Sequence, residues 1–377
     1  MTASAGFRCR GCGADQVERV IDLGAQPAAD HFPDEADPGP DPRWPLEVWF
    51  CRACTLAQLG PVETLLPEPP LAIESATSVA HAQRSVQEIL RDFPDLASGS
   101  VAEFASHHGG SWLDHLQAAG CRVAGGGERA DLVVDVHGLA HEPDVGGQLR
   151  LRAERLAADG LLILEFHHLL PLVVGNQFDT IRHGHWSYLS LGAVQRLARH
   201  ACLDVVSAQR IDLFGGSLRV MLRHAGTGAP ADESVADVLA AEAGEGLSGP
   251  DRLSTMHEAA IKGAVALHET LVAHRAAGRR VLGYGAPSKA PVLLDLSDIG
   301  TELLPFTVDK AAAKHGRRIP GAGVPIRPVD ALRAAQPDVV LVLTWDIADE
   351  VISQLEAGGG WGAAYLVPLP EPHLVSP

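Results

Sequence analysis

Aromatic side chains, cations and long apolar runs are all scarce in this 377-residue chain. Aromatics make up 5% of the residues, so its cores have to be built from aliphatic side chains. No apolar stretch approaches the ~18 residues that cross a bilayer, which excludes a membrane-spanning helix. Lys and Arg number 30 against 47 Asp and Glu, a net charge of −17. That balance excludes the broad basic face a nucleic acid requires, although a local basic pocket for one diphosphate remains allowed. Met1 to Gly6 shows no basic region followed by an apolar run, so no signal peptide is expected and a cytoplasmic protein is the default. Hydrophobic residues reach 46%, enough to bury real cores, and the length suits two or three domains. The oligomeric state is not legible at this level.

Cysteine is also rare, with six in all, but four are paired by spacing. Cys9-Arg-Gly-Cys12 and Cys51-Arg-Ala-Cys54 form two C-x-x-C knuckles. In a reducing compartment a disulfide framework is not expected, whereas four thiolates suit one tetrahedral, structural Zn²⁺. A redox pair or unrelated cysteines are the bland alternatives. The long gap between the knuckles predicts a strand pair and a proline-rich, irregular loop. Residues 1–65 are therefore expected to form a zinc-binding module. Cys121 and Cys202 stand alone and read as packing residues.

Residues 66–225 read as an α/β domain, with strands expected at 101–106, 132–136 and 161–166 alternating with helices. A helix is expected over 145–158, closed by Asp159-Gly160, and an amphipathic one over 190–200. Antiparallel strands follow at 205–211 and 218–222. Residues 226–278 read as a linker ending in a long helix. Residues 279–377 repeat the strand–helix alternation of a second Rossmann-like domain. Ligands of such sheets sit outside the carboxyl ends of the strands. Those ends carry His107, His108 and His137, and the run from Glu165 to His168.

Four histidines, His167, His168, His183 and His185, fall close together beside Asp179 and Arg182. Such a cluster is a catalytic centre or a metal site; a lone histidine would more often be a satisfied core residue. In the C-terminal part, Gly283-Tyr-Gly-Ala-Pro-Ser-Lys289 resembles a phosphate-cradling turn, though close helix–strand packing explains such glycines as often. Lys310, Lys314 and Arg317 supply cations for a phosphate or carboxylate, or else form a solvated loop.

Taken in order, several motifs carry a resemblance: the paired C-x-x-C module, Glu-Phe-x-His-Leu-Leu from Glu165, Asn-Gln-Phe-Asp-Thr-Ile-x-His-x-His from Asn176, Gly-Gly-Ser-Leu-Arg ending at Arg219, and Gly-Tyr-Gly-Ala-Pro-x-Lys ending at Lys289. Over nearly its whole length the chain resembles the zinc-containing deoxysugar C-methyltransferases of antibiotic biosynthesis. The resemblance implies a zinc module, a central methyltransferase-like Rossmann domain and a C-terminal Rossmann-like domain that binds a sugar nucleotide. It implies a dTDP-linked 4-keto-6-deoxysugar substrate and S-adenosylmethionine as methyl donor. A base would remove the proton beside the ketone, and the enolate would attack the methyl group. His168 and His185 fall on the family's active-site histidines. Glu103, Ala105, Gly109 and Gly125 fall on cofactor contacts. Asn176, Asp179, Ser217, Arg219, Tyr284, Lys289, Lys310, Lys314 and Arg317 fall on the substrate side.

The departures cluster on the cofactor and catalytic sites. Glu103-Phe-Ala-Ser-His-His-Gly109 stands for a family Glu-Val-Ala-Ser-Asn-Asp-Gly. Gly125-Gly-Gly127 replaces the segment with the ribose-binding acid, leaving Glu128 displaced by one, and a strand–helix unit that normally follows is missing. Arg182 and Gly184 replace a catalytic tyrosine and glutamate. Losing the ribose acid removes charge-assisted hydrogen bonds of about 1.5–3 kcal/mol. The expectation is therefore a truncated methyltransferase fold that enolises the sugar and epimerises or isomerises it without methyl transfer. His168, His183 and His185 are its candidate bases and Arg182 its enolate stabiliser. The alternatives are a C-methyltransferase with a rebuilt cofactor pocket, a second metal site at the histidines including His107, His108, His137 and His141, and a non-catalytic scaffold.

Overall fold

The computed structural model describes residues 6–37, 39–62, 74, 76–104 and 109–375. Two strands do fill the gap between the knuckles. Val17–Pro27 pairs antiparallel with Arg43–Cys51, which pairs with Ala57–Leu59. Alternation explains them: Leu46, Val48 and Phe50 point into the core while Glu47 and Arg19 face outward. Ser187–Tyr188, from far along the chain, adds the fourth strand by pairing with Ala57–Leu59. The proline-rich loop after Pro27 is no passive insert. Asp30 pairs with Arg182, Glu35 with Arg327 and Asp41 with Arg318.

The central sheet has six strands in the order Arg122–Val123, Ser100–Phe104, Ala130–Val136, Leu156–His167, Ser217–His224, Leu203–Ile211. The first four run parallel and the last two antiparallel. Its outer parallel strand is only two residues long, and the chain returns from it directly to Ala130. The helix expected over 145–158 ends at Glu154, because Leu156 already pairs with Ala130. Asp159-Gly160 lies within that strand at a register shift and is not a helix stop. Ser190 caps Leu191–His200 by accepting from the Ala193 N–H.

Residues expected to act as linker carry a packed helix, Glu233–Gly244, with Val235, Val238 and Glu242 buried. The long helix Asp251–Ala276 follows, and its Leu253, Met256, Ala260, Ala264, Leu267 and Leu271 are buried as expected. The C-terminal sheet orders Ile326–Arg327, Thr307–Val308, Val281–Tyr284, Val339–Val342, Ala364–Val367 and His373–Val375, parallel save the last. The order in which strands are added therefore reverses between Val281–Tyr284 and Val339–Val342, the kind of switch point where such sheets open a crevice. Cys9, Cys51 and Cys54 share one core with Leu191, Val194 and Leu197 of the central domain. The sheet they anchor shares another with the long helix and the C-terminal domain.

Candidate active site

Each of the four knuckle cysteines offers Sγ to a common point. All four sulfur atoms lie within 4.8 Å of one another, with Cys9–Cys54 at 3.5 Å and Cys12–Cys51 at 3.7 Å. Tetrahedral zinc with Zn–S bonds near 2.3 Å requires sulfurs about 3.8 Å apart, so the set fits one closed, structural ion. Among the described residues no other group of three or more potential ligands, the histidine cluster included, has metal-ligand spacing. His107 and His108 lie outside the described residues.

A cavity of about 220 Å³ opens where the central and C-terminal domains meet. His137 and His167, which follow or end the strands Ala130–Val136 and Leu156–His167, form one wall with Phe214. Thr180, Arg182 and His185 form a second, and Ser288, Lys289 and Asp346 of the C-terminal domain a third. The rings meet in series, tilted or edge-on: His137–His167 at 4.7 Å between centroids, His167–His185 at 5.6 Å and His185–His141 at 4.8 Å. The carbonyl of Thr180 accepts from His185 Nδ1 at 2.8 Å. A carbonyl can only accept, so Nδ1 carries a proton, and in the neutral form of the ring the lone pair lies on Nε2, a base's arrangement. Arg182 is held by Asp30 at 2.7 Å. Lys289 pairs with Asp346 and lies 3.8 Å from the centre of the Trp345 ring.

Two expected bases are placed elsewhere. His168 is buried against Glu242 at 2.7 Å, and the same carboxylate accepts from the Leu191 and Gly192 N–H groups. His183 meets the Pro45 carbonyl at 3.2 Å and packs edge-on to Trp44, where burial lowers its pKa. Their positions in the chain neighbour the cavity, but the backbone turns them into packing contacts.

The substrate-side residues divide in the same way. Ser217 donates to the Leu213 carbonyl, and Arg219 is buried in a network with Glu165 at 2.6 Å and His81 beyond it. Arg317 donates to the Phe32 carbonyl, and Asn176 lines a separate groove with Lys262 and Glu371. Tyr284, Lys310 and Lys314 line a second cavity of about 330 Å³ at the carboxyl ends of the C-terminal strands. Lys314 donates to the Ala286 carbonyl at 2.7 Å, and burial, with Asp309 and Glu350, pushes Tyr284 up to about 12. Pro287, Thr344 and Ile347 line both cavities, so the two adjoin. Asp346, Trp345 and Phe214 escaped the sequence reading. The strand-end rule would have found the first two, since they follow Val339–Val342.

Asp179 is completely buried, and one carboxylate oxygen accepts from Trp345 Nε1 at 2.7 Å. Burial, opposed by Lys289, pushes its pKa up to about 6. The folded state thus holds this proton more tightly than the unfolded chain, so stability falls as pH rises from about 4 to 6 and stays reduced above. Asp179→Asn is expected to raise the stability at pH 8 by an amount on the order of 1–3 kcal/mol, with a higher melting temperature, and to change it little near about pH 3, where the carboxyl is mostly protonated in both states. An equal shift at both pH values in thermal melts would contradict this origin.

On the cofactor side, Gly109 and Gly110 both have left-handed backbones, φ +77° and +79°, at the carboxyl end of Ser100–Phe104. The Gly110 N–H donates to the carboxylate of Glu74. Glu103 accepts from Ser111 Oγ and the Trp112 N–H, fastening the same turn. Beyond the next strand, Glu128 accepts from the Gly125 N–H and pairs with Arg122. Ala105 lies outside the described residues. The Gly110 N–H thus already binds a carboxylate, the kind of group that the amino-acid end of S-adenosylmethionine carries.

Family models match two stretches. A zinc binding domain covers residues 9–65, and a C-methyltransferase C-terminal domain covers 212–370. The chain is 30% identical to C-methyltransferase NovU of Streptomyces niveus, over 98% of this chain and 96% of that protein. Among solved structures it is similar to a 1,6-didemethyltoxoflavin-N1-methyltransferase of Burkholderia thailandensis with bound S-adenosylhomocysteine. Identity there is 17% and the TM-score 0.31, over 45% of this chain and 96% of that one. Mitomycin 7-O-methyltransferase MmcR gives 14% and 0.31, over 40% and 55%.

Proposed function

The chain belongs to the zinc-binding C-methyltransferase family, and from that premise we propose that it acts on a nucleotide-linked keto-deoxysugar as a sugar C-methyltransferase. The observation that carries this reading is the pair of adjoining cavities, which share Pro287, Thr344 and Ile347. A bipartite substrate would seat its nucleotide beside Tyr284, Lys310 and Lys314 and reach the histidines with its sugar. That assignment replaces the expectation of isomerisation without methyl transfer as the leading reading, because the full-length relative carries a C-methyltransferase name.

In this reading His185 Nε2 removes the proton on the carbon next to the ketone. Arg182 and Lys289 favour the negative charge that then develops on oxygen, in a site closed off by Phe214 and the histidine rings. S-adenosylmethionine, held at the Gly109-Gly110 turn, would supply the methyl group. Zinc stays structural, held by four cysteines that do not line the cavity.

One observation keeps epimerisation or isomerisation as a second reading: the Gly110 N–H and both oxygens of Glu103 and of Glu128 are engaged within the chain. The test incubates the purified protein with a dTDP-4-keto-6-deoxyhexose in D₂O, with and without S-adenosylmethionine, followed by mass spectrometry. A product heavier by one CH₂ only when S-adenosylmethionine is present supports methyl transfer. Deuterium uptake with no methylation in either arm moves the assignment to the second reading. Neither change would sink both.

A further inference from the structure

His137 is anomalous on three independent counts. It is a non-glycine residue with a left-handed backbone, φ +58°, at the carboxyl end of the strand Ala130–Val136. Its side chain is 3% exposed, yet neither ring nitrogen has a hydrogen-bond partner among the described residues. It also lines the active-site cavity, its ring set 4.7 Å from His167 and 5.2 Å from Phe214. A buried imidazole that satisfies neither its donor nor its acceptor is costly, as is the backbone that places it. Nothing in the packing requires that polarity; a phenyl ring would fill the same volume beside Phe214.

We propose that His137 is a catalytic residue, whose ring N–H donates to the ketone oxygen of the sugar substrate. This rests on the reading of the cavity given above. As His185 takes the proton from the adjacent carbon, the C–H electron pair becomes the carbon–carbon π bond. The carbonyl π pair moves to oxygen, and the His137 N–H holds the resulting enolate. No further reactant is needed, since His185 ends protonated and the charge rests on the enolate oxygen.

Burial, reinforced by the neighbouring His167, holds the His137 pKa down to about 3. The ring is therefore neutral at working pH and keeps one N–H and one lone pair. A neutral imidazole polarises a carbonyl without surrendering its own proton, the matched donor for an enolate. The left-handed turn after residue 136 is what brings the ring over the strand end. The adjoining Gly138 and Leu139 N–H groups are fixed by Asp135, which leaves the ring's place set by a capped turn.

The test is solvent-deuterium exchange into a dTDP-4-keto-6-deoxyhexose, measured on the full chain. His137→Gly suits the backbone and opens room for added imidazole; His137→Phe keeps the volume without the donor. Both are expected to slow exchange by about 100-fold or more, with His137→Gly regaining rate when imidazole is supplied. His137→Phe should melt no lower than the wild type, and dTDP binding should stay at the wild-type value in both variants. Exchange within about threefold of wild type in both variants would overturn the proposal. No exchange in the wild-type chain would instead overturn the enolisation reading beneath it. Should either variant fail to fold, ¹⁵N-histidine spectra of the wild-type chain decide. The assigned His137 ring resonance is expected to shift on adding the sugar nucleotide, and an unmoved resonance would reject the contact.

Discussion

A Cys51→Ser chain is expected to lose its zinc and, with it, the cooperative fold of both the N-terminal module and the active-site loop. Metal binding to such a four-thiolate site contributes an apparent free energy of about 10–16 kcal/mol, larger than the whole stability of most domains. The loss would not stay local. Cys9, Cys51 and Cys54 are buried in the same core as Leu191, Val194 and Leu197 of the central domain. Three residues past Cys54 begins Ala57–Leu59, whose partner Ser187–Tyr188 starts two residues after His185. A chelator at neutral pH should act as the substitution does. Metal analysis should find about one zinc per chain in the wild type and none in the variant. Thermal melts followed by tryptophan fluorescence and circular dichroism should no longer coincide. A variant that melts in one transition within a few degrees of wild type would remove zinc from the account of the fold. Cys202→Ser, at an exposed lone thiol, is the control that should change none of these.

His185→Gln should separate chemistry from folding. The glutamine side chain can still donate to the Thr180 carbonyl, as His185 Nδ1 does at 2.8 Å, but it offers no basic nitrogen to the cavity. Exchange of the substrate proton, and methylation if it follows, should fall by about 10²–10⁴-fold, the range of a single general base. Zinc content and melting temperature should hold. His168→Gln should behave in the opposite way, since its 2.7 Å contact with Glu242 is buried in the core. Weakening that contact costs about 1–3 kcal/mol of stability and leaves the chemical step nearly intact in whatever protein remains folded. If His168→Gln lost the exchange and His185→Gln kept it, the assignment of the base would be reversed.

The contrast between these two histidines marks how far the chain could be read without coordinates. Both sit in motifs at neighbouring ends of the same strand and loop, and both looked equally able to act. His168 heads the helix Leu169–Val174 and turns back to the helix that ends near Glu242, an acid 74 residues further on in a stretch that read as linker. Nothing local in the sequence announces that pairing. His137 went the other way. It was one histidine among several at strand ends, and only its left-handed backbone and its unmet nitrogens single it out.

What the sequence determined by itself is whatever local spacing controls. The C-x-x-C pairs bring their sulfurs together through tight turns, buried aliphatic runs make the parallel strands, and Ser190 caps its helix whatever lies around it. The order of motifs likewise carried the family. Tertiary structure decided which polar groups face the cavity and which pair in the core, because that depends on contacts between residues far apart in the chain. It decided that Ser187–Tyr188 completes the zinc sheet, that Asp30 reaches Arg182, and that Asp346 and Lys289 close the histidine cavity from another domain. Periodicity reports which side of an element is buried; it is silent on what buries it.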